Sequence, residues 1–189
     1  MRWLNLLVPV MALAACVTAL AQSPTFNLGR TPSEREIKAW DIAVGPEGKE
    51  LPPGSGSAKQ GARIFELRGC AGCHGPNATE GPAPRLVGGV GSLNTPNQLR
   101  TVGSYWPFAT TIWDFINRAM PLNQGGWLSA DEVYALTAFL LYRNGIIQEN
   151  DVMDAKSLPK VQMPNRDGYR PPPISEWKPG MPRPFKIEP

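Results

Sequence analysis

CAGCH, Cys70 to His74, gathers the chain's single histidine and two of its three cysteines into five consecutive positions. The third cysteine, Cys16, falls in residues 1–21, MRWLNLLVPVMALAACVTALA, which begin with Arg2, continue through an apolar run and finish in Ala19-Leu20-Ala21. That small-x-small ending is what a signal peptidase reads, so the segment is expected to be a cleaved signal peptide and the mature protein to be exported without a membrane span. Leu13-Ala14-Ala15-Cys16 also fits a bacterial lipoprotein cleavage site, which would leave Cys16 lipidated at the mature N-terminus. Asn5, Pro9 and Thr18 make the run a poor uncleaved anchor. Simple cleavage after Ala21 leaves a periplasmic chain whose only cysteines are Cys70 and Cys73.

Three chemistries use two cysteines at this spacing. A zinc ribbon needs four ligands, and two cysteines with one histidine leave it short of soft donors. A thioredoxin-like redox pair follows a strand in a βαβ unit, whereas SAKQGARIFELRG, residues 57–69, carries a helix pattern. The third is c-type haem attachment, in which two thiols add to the haem vinyl groups and the adjacent histidine lies under the iron. It alone uses Cys70, Cys73 and His74 together, and it requires the export that residues 1–21 supply.

A haem needs a helical pocket. Ser57 with Gln60 forms a capping-box pattern that opens a helix over 58–68, placing Ala62, Phe65 and Leu67 on one face and leading directly into Cys70. Ser129 with Glu132 opens a second, in which Val133, Leu136, Thr137, Leu140 and Leu141 recur at helical spacing until Asn144-Gly145 stops it. Gly61 leaves room for Phe139 or Tyr142 to cross closely. A third helix runs from Pro107, suited to a first turn, to Met120, with Ile112, Trp113, Phe115 and Ile116 as its bulk. It ends at Met120-Pro121, where a methionine is placed to present its thioether opposite His74. Met153, Met163 and Met181 are its rivals, all beyond the closing helix.

Residues 57–146 resemble the class I cytochrome c family, through CAGCH, Pro84-Arg85-Leu86-Val87-Gly88, Met120-Pro121 and Ala138-Phe139-Leu140. The resemblance implies an all-α fold, a class I cytochrome c haem domain, with one covalent haem c. It also implies that the Pro84 carbonyl accepts the ring N–H of His74; a mere turn-forming role for Pro84 is the alternative. Over roughly 29–170, TPSEREIKAWDIAVGPEGKELPPGSGS, VGSYWPFATTIWDFINRAMPLNQGG and VMDAKSLPKVQMPNRDGY resemble the monohaem cytochrome c subunit of bacterial sulfur-oxidising molybdenum dehydrogenases, the sulfane and sulfite dehydrogenase group. That implies a molybdenum-containing sulfur dehydrogenase as electron donor and a downstream soluble cytochrome or oxidase as acceptor.

The flanks read as extensions at 22–56 and 147–189. Thr31-Pro32-Ser33-Glu34 opens a short helix to about Trp40, and GPEGKELPPGSGS after it reads as loop. Nine prolines between Leu158 and Pro189 exclude helix or inner strand. Met163, Tyr169, Ile174, Trp177, Met181 and Phe185 are apolar anchors, so this stretch is expected to be an extended arm packed on a surface, its own or a partner's. Without residues 1–21 the chain holds 18 basic and 16 acidic residues, net +2, with no basic cluster of the kind nucleic acid requires. Two functional classes remain: an electron-transfer subunit with both axial positions filled by His74 and Met120, or a stand-alone haem enzyme acting on thiosulfate or peroxide. After haem attachment the mature chain has no spare histidine or cysteine to move protons or attack a substrate, which favours the first.

Overall fold

The computed structural model describes residues 28–169. These fall into two compact units divided after Asp41. In the first, α1 (Glu34–Trp40) opens on Ser33, whose side chain accepts the Glu36 N–H while Glu36 reaches back to the Ser33 N–H. Arg30 pairs with Glu36 and, with the Ser33 bonds, holds that carboxyl down at about 2. No residue of α1 is buried.

The second unit contains β1 (Ser55–Ser57), α2 (Ala58–Leu67), α3 (Cys70–His74), α4 (Ala109–Ala119), α5 (Ala130–Arg143) and β2 (Val152–Asp154). Both expected capping boxes form. Gln60 Oε1 accepts the Ser57 N–H at 2.8 Å, and Glu132 Oε2 accepts the Ser129 N–H at 2.9 Å. Every residue of α5 from Val133 to Leu141 is buried, so this helix is the centre of the core and its apolar character extends all round. The α2 helix crosses it at Gly61, where an added Cβ would run into the Ala135 carbonyl oxygen and crowd the Phe139 Cβ. Phe139 makes the crossing foreseen for it, with ring centroids 5.1 Å from Phe65; Tyr142 instead points outward.

Ile112, Trp113 and Ile116 bury the inner side of α4, and Trp113 packs against Tyr134 of α5 with the rings tilted and their centroids 5.5 Å apart. Three expectations are corrected here. Phe115 lies on the outer side of α4, edge-on to Trp106 at 5.5 Å. Leu67 is 78% exposed, because two residues beyond Phe65 it stands on the opposite side of α2. Pro107 precedes the Phe108 N-cap and lies outside the first turn.

Beyond α5 the chain continues to pack on this unit. β2 pairs antiparallel with β1, Gly56 opposite Met153, a contact between strands of three residues that no alternation in the sequence announces. Met153, Leu158 and Met163 are buried in the same core as Phe65 and Leu136, so the core extends past residue 146. Asn165 Nδ2 donates to the Tyr105 carbonyl at 2.7 Å, and Tyr169 meets Tyr105 edge-on at 5.3 Å. The stretch Leu158–Tyr169 therefore lies on its own domain. Ile174, Trp177, Met181 and Phe185 lie outside the described residues, as do residues 1–21. Among the described residues no helix is long and apolar enough to cross a membrane.

Candidate functional site

CAGCH folds as α3, a single turn bracketed by Gly69 and Gly75, both with positive φ (76° and 77°). Glycine takes that conformation without the steric cost a Cβ brings, which lets the turn start and stop within five residues. No disulfide joins the two cysteines; Cys73 is exposed, while burial pushes the half-buried Cys70 thiol up from its ordinary value.

The chain after α3 loops back to its own start. Ala83 N–H donates to the Cys73 carbonyl at 2.9 Å, and the Leu86 and Val87 N–H groups both donate to Ala78. This brings the Pro84 carbonyl oxygen to 2.9 Å from His74 Nδ1. A carbonyl only accepts, so the assigned tautomer carries its proton on Nδ1 and leaves the Nε2 lone pair free to act as a ligand. Met120 follows the last turn of α4, where its own N–H still bonds to Ile116 at 3.1 Å while its backbone is already extended. The loop beyond it returns to α4 through the Gly126 N–H on Asn117.

Cys70, Cys73, His74, Pro84 and Met120 all line one cleft of about 280 Å³. Apart from Arg68 its remaining wall is apolar, with Phe65 of α2, Ile116 of α4, and Leu136 and Leu140 of α5 among its residues. Met153 and Met163, the described rivals of Met120, are buried in the core and do not line it.

Two features of the site escaped the sequence reading. Arg68 lines the cleft, paired with Glu132 at 2.5 Å and lying 4.6 Å over the Trp127 ring. Glu132 thus serves both its helix cap and this arginine; the cap pattern was visible, the second partner 64 residues away was not. Asn144, read as a helix stop, joins the segment that carries Pro84.

The cytochrome c family model matches residues 58–144. A chain in the crystal structure of the sulfane dehydrogenase SoxCD from Paracoccus pantotrophus is 40% identical to this one, with a TM-score of 0.70, and the alignment covers 83% of this chain and 81% of that one. The chain belongs to the cytochrome c family. None of the curated proteins matches it. A cytochrome c carries covalently bound c-type haem, and the cleft of this cytochrome fits the group by its chemistry: two thiols one helical turn apart, an imidazole with Nε2 free, a thioether, and an apolar wall.

Proposed function

We propose that this cytochrome c is a periplasmic electron-transfer subunit with one haem. In this reading Cys70 and Cys73 hold the haem through thioether bonds, and His74 and Met120 are its axial ligands. It takes electrons from a molybdenum-containing sulfane or sulfite dehydrogenase subunit and passes them to a downstream soluble cytochrome or oxidase. The observation that carries the reading is the convergence of the two thiols, His74 and Met120 on one apolar cleft. The 40% identity to a chain of a sulfane dehydrogenase supports the choice of donor.

Bound there, the haem supplies a one-electron couple whose potential histidine–methionine ligation raises. The chain's own groups tune that couple. The Pro84 carbonyl fixes the His74 ring and keeps its proton on Nδ1, which raises the basicity of Nε2. Phe65, Ile116, Leu136 and Leu140 keep water from the cleft and lower its dielectric. With both axial positions taken by side chains no position is left for a substrate, which favours a carrier over the alternative of a haem enzyme acting on thiosulfate or peroxide. Residues 1–21 are removed on export in this reading. Residues 57–146 supply the haem cleft, with extensions at 22–56 and 147–189 whose Leu51, Met153, Leu158 and Met163 complete the same core.

Native protein tests both halves. Its haem should stay with the polypeptide on a denaturing gel and resist extraction into acidified organic solvent; release would end the attachment claim. It should co-purify from its host with a molybdenum-containing subunit. A molybdenum-free preparation that oxidises sulfur compounds would favour the enzyme instead.

A further inference from the structure

We propose that Asn144, 70 positions from His74, is a positioning residue for that histidine; this rests on the reading of His74 as an axial ligand. Asn144 caps the C-terminus of α5, and its carboxamide reaches across to the segment that supplies the Pro84 carbonyl. Nδ2 donates to Leu140 at 2.8 Å and to Leu86 at 3.2 Å, while Oδ1 accepts the Gly88 N–H at 2.9 Å. Both amide hydrogens and the carbonyl oxygen are thus used, a full set for one asparagine.

The segment is thereby held on two sides. Ala78 takes the Leu86 N–H and Asn144 holds the Leu86 carbonyl. At Gly88, Asn144 holds the N–H and Thr101 Oγ1 donates to the carbonyl at 2.6 Å. The amide packs directly against Gly103, where any side chain would occupy its place. The other anchors of this segment are Cys73 of α3, Ala78 and Thr79 in the loop that follows it, and Thr101. Asn144 bonds this segment directly to the closing helix, whose residues from Val133 to Leu141 are all buried, whereas Arg143 reaches only Asn77 in the preceding loop. Removing Asn144 leaves the Pro84 segment held by α3, the loop after it and Thr101 but without a direct bond to the closing helix, so the hydrogen bond to His74 Nδ1 opens more often and the imidazole becomes a weaker donor to iron.

The test follows the His74 Nδ1 proton by NMR in the haem protein. Its exchange with deuterated water is compared with that of the slowest α5 amides in wild type, Asn144→Ala and Asn144→Asp. Asp keeps the oxygen that accepts from Gly88 and loses both donations. Tyr134→Phe serves as control, because it removes a 2.9 Å bond to the Pro52 carbonyl at the other end of α5. Both Asn144 variants should speed exchange of the His74 proton roughly tenfold relative to the α5 amides and raise the midpoint potential. Tyr134→Phe should change neither. Wild-type ratios and potentials in the Asn144 variants, or the same shift in Tyr134→Phe, would overturn the proposal. So would failure of both Asn144 variants to hold haem, which would give the amide to the fold as a whole. A wild-type protein with no such histidine proton at its haem refutes the axial role of His74 first, and this inference with it.

Discussion

Replacing Met120 and Met163 by alanine, one at a time, should separate ligation from stability within one protein. Met163 is 3% exposed in the core, so truncation costs lost burial plus a cavity, about 2–5 kcal/mol. At about 2–4 °C per kcal/mol for a chain of this size, its melting temperature should fall by roughly 4–20 °C. Met120 is half-buried at the cleft and contributes less by packing, on the order of 1–2 kcal/mol. Its loss should instead abolish the far-red sulfur-to-iron charge-transfer band of the oxidised protein and lower the potential. Absorption, redox titration and thermal unfolding by circular dichroism on the same samples give all three readouts. Met163→Ala should leave the band and potential near wild type. Loss of the band in Met163→Ala, or its survival in Met120→Ala, would refute the assignment of the thioether; an unchanged melting temperature in Met163→Ala would refute the burial argument.

Gly61→Ala should destabilise the protein by about 1–2 kcal/mol in chemical denaturation, because overpacking against the Ala135 carbonyl exceeds the helix propensity gained; a more stable variant would mean the two helices can separate freely. Burial pushes the Glu132 carboxyl up, but the Ser129 and Arg68 bonds outweigh it and its folded pKa lies below 4.5. Its contribution is therefore full above that value and is lost as pH falls through the folded pKa, so melting curves between about pH 5 and pH 3 should fall less steeply in Glu132→Gln than in wild type. Ending the chain after Tyr169 keeps Met163, Asn165 and the Tyr105 contact, and should leave the haem spectrum and melting temperature unchanged while weakening association with the molybdenum subunit. An unchanged affinity in a binding titration would remove residues 170–189 from the interface.

What the sequence disclosed is what lies close together along it. The capping boxes at Ser57 and Ser129 are complete within three residues, and CAGCH concentrates its thiols and imidazole in one turn, so both could be read before any tertiary contact was known. The crossing at Gly61 was half legible: a helical glycine between apolar positions announces a close neighbour, but not that Ala135 would supply the nearest atom. Phe115 and Leu67 were misplaced because apolar character says that a residue can be buried, whereas the helix supplies one buried face and turns the rest outward. The prolines after Leu158 hid a different point. They argue against an α-helix, yet Pro159 fits the first turn of a short 3-10 helix, Leu158–Lys160, which the expectation of no helix missed, and Leu158 and Met163 both reach the core.

The hidden parts of the site share one property, a polar side chain with partners far along the chain. Asp114 accepts the Val44 N–H from 70 residues away and pairs with Arg118, tying the segment before β1 to the helix that ends at Met120. Asn144 reaches Gly88 and Leu86 across 56 and 58 residues. Periodicity gives such residues no signature, since Asp114 sits at a position that reads as surface and Asn144 at one that reads as a helix end. Their placement matters because, in the proposed haem site, His74 at the end of α3 and Met120 at the end of α4 can act on one group only if those two helix ends are held at a fixed separation. In this cytochrome the helix α5 sets that separation, with Asn144 referring the Pro84 side to it and the buried face of α4 referring the Met120 side.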